Sequence, residues 1–364
     1  MRLREDIKDL EPYIAGRSEA SVQREYGLTD IAKLGSNESP YGPFPGVVDA
    51  LIPLLSGLNR YPERDFVLAE ELAAFWNVPV DRIALGNGVD PIIGSLCSAL
   101  LDPGDNAIMA APSFVSYALD TQKAGGVAVK VPLVDGKHDV AGMAAAVTDR
   151  TRLLFVCSPN NPTGDIVDAE SLAWLVDNVP EHVLIVVDEA YAEYVVDPRY
   201  PDAIGTYARD RANVAVLRTF SKLYGLAGLR VGYCVADEEI VGALGRIRHY
   251  FDVSDLGHVA ATVSLRNQAE VLRRREENLR HRSDLESVLD SWGVARMTSH
   301  TNFVAFDVGV DSERVAEALM RRGVVARPLG PFGDGNVLRV SVGTPDEMAR
   351  FTTELQQILR NVPA

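Results

Sequence analysis

Seven short apolar runs, most of them separated by helical or loop segments, constrain the fold of this chain more than any other feature. They lie at 83–85, 107–110, 127–131, 153–157, 183–187, 214–217 and 231–235. Their apolarity is continuous rather than alternating, which describes strands covered on both faces. Strands of that kind belong in a mostly parallel sheet between two helix layers. The expectation is an α/β chain with a seven-stranded sheet in a three-layer large domain over residues 31–265. Beyond Trp292 the pattern changes to a strand at 303–306, a helix at 312–322, strands at 324–326 and 337–342, and a last helix at 345–359. These make a smaller C-terminal α+β domain, 266–364. Residues 1–30 are polar and irregular, and read as an arm that joins the smaller domain. At 364 residues the chain is long for one core, so two domains fit its length.

In such sheets ligands bind at the carboxyl ends of strands, and nearly all the unusual residues here follow a strand directly. After 214–217 come Thr219-Phe220-Ser221-Lys222, with Arg230 eight residues further among glycines. A lysine leaving a buried strand is partly desolvated, which suits a nucleophilic amine. Thr219, Ser221 and Arg230 supply two hydroxyl donors and one planar fork, a set that can hold a dianionic phosphate. An amine beside a phosphate clamp is what a pyridoxal phosphate Schiff base requires. Gly86-Asn87-Gly88-Val89-Asp90 adds bare N–H groups at a helix start, a second place for the phosphate. It resembles half a dinucleotide fingerprint, but the third glycine is absent.

Asp188 closes the apolar run 183–187, where a carboxylate is expensive unless it meets a cation or strong donors. In the same reading it keeps the pyridine nitrogen protonated, and Tyr191 donates to the ring's phenolate oxygen. Asn161 sits in the turn Ser158-Pro159-Asn160-Asn161-Pro162-Thr163-Gly164, before a proline where a cis bond is affordable. Phe114 is placed to stack on a flat ring. Arg339 is the odd residue in the apolar strand 337–342 and wants a carboxylate, for which a substrate is a candidate.

The net charge of −15 argues against nucleic acid or an anionic membrane as the main partner, so any anionic ligand must be met by local cations. Cys97, Cys157 and Cys234 lie far apart, without disulfide or zinc spacing, and read as buried thiols in a reducing compartment. No apolar run approaches membrane-spanning length, and the start has no apolar leader. A cytoplasmic protein without a metal is expected. The charged run 272–280 reads as a solvated helix.

The motifs SPNNPTG at 158–164, DEAYAEY at 188–194 and TFSKLYGLAGLRVGY at 219–233 are similar, in order and spacing, to those of the fold-type I, class II PLP-dependent aminotransferases. The chain most resembles the histidinol-phosphate aminotransferase branch, sharing GSNESPYGP-like, NRYPE-like and LRVSVGT-like segments at 35–43, 59–63 and 338–344. The resemblance implies Lys222 as the Schiff-base lysine, with Asp188 at the pyridine nitrogen and Tyr191 and Asn161 at the phenolate oxygen. It places Phe114 on the ring, and Thr219, Ser221, Arg230 and the backbone of Gly88, Val89 and Asp90 on the phosphate. Tyr61 would reach the cofactor of a neighbouring subunit, making a homodimer with shared active sites. Arg339 would grip the substrate, with Asn161, Tyr13, Asn37 and Phe251 completing that side.

One segment departs from the pattern. Where histidinol-phosphate enzymes usually carry a Pro-Tyr-Asn-like step, this chain reads Tyr250-Phe251-Asp252-Val253-Ser254. Phe251 lacks the hydroxyl expected to help bind a substrate phosphate, and Asp252 would repel one. Aromatic amino acid aminotransferases of the branch look similar here. The expectation is therefore a ping-pong amino transfer from an aromatic amino acid (phenylalanine or tyrosine) to 2-oxoglutarate. Histidinol phosphate is the alternative donor, and a PLP-dependent decarboxylase or lyase on the same fold is a further alternative.

Overall fold

The computed structural model describes residues 10, 16–62, 67–330, 333 and 335–361. All seven expected strands form one sheet: β2 (Ile83–Gly86), β3 (Asn106–Ala111), β4 (Val127–Pro132), β5 (Thr151–Cys157), β6 (Leu184–Asp188), β7 (Val214–Thr219) and β8 (Gly232–Val235). Their order across the sheet is β2-β8-β7-β6-β5-β3-β4, parallel except where β8 runs antiparallel to both neighbours. The continuous apolarity has the expected cause. Side chains of a strand alternate between faces, and here both faces are covered. Leu154 and Val156 of β5, Ile185 and Val187 of β6, and Val214 and Val216 of β7 enter one core. Leu153, Phe155, Leu184, Val186, Ala215 and Leu217 enter the other.

A second, three-stranded antiparallel sheet has the order β11 (Arg327–Pro328), β12 (Val337–Ser341), β9 (Phe303–Asp307). Its own apolar core includes Val304, Phe306, Leu338 and Val340, closed by Phe351 and Leu355 of the Pro345–Asn361 helix and by Leu285 and Leu289 of the Gln268–Ser291 helix. Near the N-terminus, β1 (Ala32–Lys33) pairs in parallel with β10 (Val324–Val325). No helix among the described residues is long and apolar enough to cross a membrane.

Two local expectations need correction. Residues Glu19–Tyr26 form a helix rather than irregular chain, capped by the Ser18 side chain at one end and by left-handed Gly27 at the other. Both cap residues are ordinary helix signals, hidden in the sequence by a segment that buries little besides Val22. The charged helix Gln268–Ser291 is not solvated all round. Arg274 is buried, with its guanidinium 4.5 Å from the Phe44 ring centroid and bonded to Glu270 at 2.8 Å.

Candidate active site

Register brings the chemistry together. Cys157 at the end of β5 pairs with Asp188 at the end of β6, and Asp188 pairs with Leu217 two residues before the end of β7. Three adjacent strands thus end at one edge, and a cleft opens there. Among the described residues, Lys222, Arg230, Arg327 and Arg339 line it against two carboxylates, Asp90 and Asp188. A chain of net charge −15 has kept a cationic cleft, which concentrates anions locally.

One end of the cleft is built for an oxyanion. Thr219 Oγ1 donates to Ser221 Oγ at 3.1 Å and accepts from the Ser221 N–H at 3.1 Å, and an Arg230 Nη1 donates to Ser221 Oγ at 3.3 Å. The helix Val89–Leu100 starts beside them, so its unpaired first N–H groups face the same space. Gly88, the residue capping that helix, has φ +84°, and a Cβ built there would lie 2.5 Å from Arg230 Nη2. Asp90, on the first turn, lies 3.7 Å from Arg230 and accepts a hydrogen bond from Ser116 at 2.6 Å.

At the other end Asp188 is 3% exposed. Tyr117 donates to its Oδ2 at 2.7 Å and the Ala190 N–H to its Oδ1 at 3.1 Å. Burial pushes the carboxyl up to about 6, while the Tyr117 hydrogen bond pulls it down. Tyr117 is itself locked, stacked on Phe155 with centroids 4.7 Å apart. Phe114 meets Tyr117 edge-on and lines the cleft with Val115.

Lys222 lies between these ends. Its Nζ is 3.4 Å from the carbonyl oxygen of Asn37 and 5.3 Å from the Tyr191 ring centroid. Tyr191 accepts a hydrogen bond on its hydroxyl from Asn37 Nδ2 at 3.0 Å.

The second sheet supplies the far wall. Arg339 on β12 donates to Asn161 Oδ1 and to the Gly35 carbonyl, and lies over the Phe303 ring. Arg327 on β11 is its direct cross-strand partner, a residue the sequence reading missed. Its signal was available: an arginine ending the apolar run Val324-Val325-Ala326, followed by a proline. Tyr117 and Cys157 were missed as well, because nothing local distinguishes them from core residues.

The cleft therefore collects Val89, Asp90, Phe114, Asn161, Asp188, Tyr191, Thr219, Ser221, Lys222, Arg230, Arg339 and Asn37, as the sequence led us to expect. Gly88 stands directly behind it. Tyr61 and Phe251 are not in it. They stack on each other at 4.8 Å on the surface, with Tyr61 77% exposed. The sequence places Phe251 on the substrate side. Its backbone, at φ +57°, instead stands its ring against Tyr61. Asp252 pairs with Arg248 at 3.9 Å and also stays out of the cleft. Tyr13 lies outside the described residues. Among the described residues the two cis peptide bonds precede Pro112 and Pro159, and Asn161–Pro162 is not one of them.

A family model described as "Aminotransferase class I and II" matches residues 29–355. A protein named histidinol-phosphate aminotransferase from Moorella thermoacetica is 43% identical over 359 residues, covering 98% of this chain and 93% of that protein. One named aromatic amino acid aminotransferase from Thermobifida fusca is 42% identical over 354 residues, covering 96% and 95%. Among solved structures, that of histidinol-phosphate aminotransferase from Sinorhizobium meliloti in complex with pyridoxal-5'-phosphate is similar with a TM-score of 0.90. It is 28% identical and covers 100% of this chain and 98% of that one.

Proposed function

The chain belongs to the class I and II aminotransferases, and from that premise we propose that it moves the amino group of histidinol phosphate to 2-oxoglutarate. It is a transaminase, and its cofactor is pyridoxal 5'-phosphate. The residues fit that cofactor. A Cβ at Gly88 would press on the Arg230 guanidinium at one end of the cleft, and a sealed carboxylate waits at the opposite end. Thr219, Ser221, Arg230 and the N–H groups of the Val89–Leu100 helix would hold the phosphate. Asp188 would face the ring nitrogen, Phe114 the ring, and Tyr191 and Asn161 the ring oxygen. When bound, the cofactor supplies an aldehyde that exchanges amines and a cationic ring that accepts electrons from the substrate's α-carbon. Lys222 is the amine that it joins, and in our reading the freed Lys222 takes the α-proton and returns one at the end. Donor and acceptor use the same cleft in turn, a ping-pong sequence.

One observation carries the choice of donor. Arg327 and Arg339 face each other directly across the β11–β12 ladder, and both line the cleft. Each guanidinium is a planar fork of donors suited to the oxygens of an anionic substrate group. Histidinol phosphate brings a phosphate group and 2-oxoglutarate two carboxylates, whereas phenylalanine brings one carboxylate. Phe251 and Asp252, on which the expectation of an aromatic donor rests, lie outside this chain's cleft and would bear on the donor only through a neighbouring subunit's site. The Moorella thermoacetica relative supports the same reading by its name.

We also infer a cytoplasmic homodimer with shared sites. Val48, Ile52, Leu55, Leu58 and Tyr61 are all exposed on one stretch of chain, and Phe251 joins them through Tyr61. A patch of that kind favours a covering partner. Residues 31–265 and 266–364 would be its two working domains, with the arm 1–30 running with the latter, as the β1–β10 pairing just after it supports.

The test compares kcat/KM for histidinol phosphate, phenylalanine and tyrosine at one 2-oxoglutarate concentration, while CO2 is assayed. Histidinol phosphate should lead. Arg327→Gln should cost it about 1.5–3 kcal/mol, the scale of a hydrogen bond to a charged group, and cost phenylalanine much less. Phenylalanine leading, with Arg327→Gln affecting both donors alike, would return the aromatic reading. Released CO2 would indicate a decarboxylase.

A further inference from the structure

Asn37 occupies a position that binding a substrate does not explain. It is 1% exposed, and its backbone is left-handed at φ +54°, a conformation that asparagine tolerates and β-branched residues resist. Every polar group it has is engaged, and the partners come from four separate segments. Its N–H donates to Ser341 Oγ at 2.9 Å, and that hydroxyl also meets its Oδ1 at 3.3 Å. Its Nδ2 donates to the Tyr191 hydroxyl at 3.0 Å. Its carbonyl oxygen accepts from Lys222 Nζ at 3.4 Å and from Asn302 Nδ2 at 3.1 Å.

The carbonyl is the informative atom. A carbonyl oxygen has two lone pairs, and here Asn302 takes one of them whatever Lys222 does. When the amine leaves, no buried acceptor is orphaned, so departure does not carry that penalty. When the amine returns, the second lone pair is already aimed by a turn fixed at both ends. The Tyr191 ring flanks the same spot, and the residue holding the Tyr191 hydroxyl is again Asn37.

We propose that Asn37 is the positioning residue of the catalytic lysine, its carbonyl oxygen being where the Lys222 amine rests whenever it is not joined to the cofactor. The inference rests on Lys222 being the amine that joins the cofactor and moves the α-proton. Asn37 is thereby assigned to orienting that amine rather than to gripping the substrate. Through Ser341 it also ties the amine's resting place to β12, the strand that carries Arg339.

Substitutions separate the turn from the amide. Asn37→Gly keeps a left-handed turn and hence the carbonyl, but loses the donor to Tyr191. Asn37→Val rejects the turn and loses both. The holoenzymes are followed by stopped-flow with donor carrying hydrogen or deuterium at the α-carbon, and by visible absorbance as a function of pH. The glycine variant should shift the absorbance titration and slow α-proton removal modestly. The valine variant should slow it about tenfold further, with a larger isotope effect, the scale of one lost hydrogen bond to an amine. Asn302→Ala, which removes the carbonyl's fixed anchor, should also enlarge the isotope effect with the cofactor still bound, and decides the matter if the valine variant does not fold. Glycine and valine variants with equal rates and isotope effects, or an Asn302→Ala enzyme with the parent isotope effect, would overturn the proposal. Lys222→Ala is the control for the underlying reading. Retention of the cofactor absorbance and the isotope effect by that variant would show that Lys222, and not only Asn37, has been misassigned.

Discussion

A carboxylate sealed at the end of a strand makes the site sensitive to pH at the level of one residue. Burial lifts Asp188 from 3.8 to about 6. A group raised in the folded state contributes stability that is complete below its ordinary value and is lost as pH rises through the folded one. The cofactor-free protein should therefore lose on the order of 3 kcal/mol between pH about 4 and about 6 from this group alone. A cationic ring beside Asp188, as we propose, would reverse the sign. The gain in melting temperature on adding pyridoxal phosphate should accordingly grow between pH of about 5 and about 7.5 when followed by calorimetry. Glu189 is also raised, to about 7, by burial and the neighbouring Glu193, against the downward pull of its Arg218 partner. It sits behind the site and affects both forms alike, so the difference between them isolates Asp188. A gain independent of pH would remove Asp188 as the ring's counter-ion.

At the scale of elements, the proposed phosphate cradle depends on how closely two strands approach. β8 pairs with β2 in antiparallel register, Gly232 opposite Gly86. A Cβ at Gly232 would lie 2.7 Å from the Gly88 carbonyl carbon and 2.8 Å from Val89 N. Those are main-chain atoms and cannot swing aside, so Gly232→Ala must displace the turn that starts the Val89–Leu100 helix. The expected cost is about 1–3 kcal/mol of strain, read as roughly a ten- to hundredfold weaker affinity of the apoenzyme for pyridoxal phosphate in a fluorescence titration. Gly228, whose Cβ would meet nothing within 4 Å, is the matched control. Unchanged affinity in the Gly232 variant would mean that the strand pair does not support the cradle.

For the molecule as a whole, the exposed row from Val48 to Tyr61 predicts association through that face. Mixing two inactive variants decides whether the sites are shared. If Tyr61 of one protomer serves the cleft of its partner, subunits carrying Lys222→Ala and subunits carrying Tyr61→Ala should recover activity on mixing. One cleft of each hybrid then has both a native lysine and a native tyrosine. Ile52→Glu should give a monomer by sedimentation, because a charge on the covered face has no partner. No recovery in hybrids shown to form would confine Tyr61 to its own chain.

The seven strands and the three motifs at their carboxyl ends were legible in the chain itself, because periodicity and turn chemistry are local and the ends of parallel strands collect ligands. So were Lys222, Asp188 and the hydroxyls around Arg230, each following a recognisable run. Distant register was not legible. Tyr117 meets Asp188 across 71 positions, Asn37 meets Lys222 across 185, and Arg327 faces Arg339 only because β11 folds back on β12. No local pattern encodes which residues of remote strands stand opposite one another. Packing of whole sheets decides that, and with it which side chains surround the amine and which charges meet the substrate.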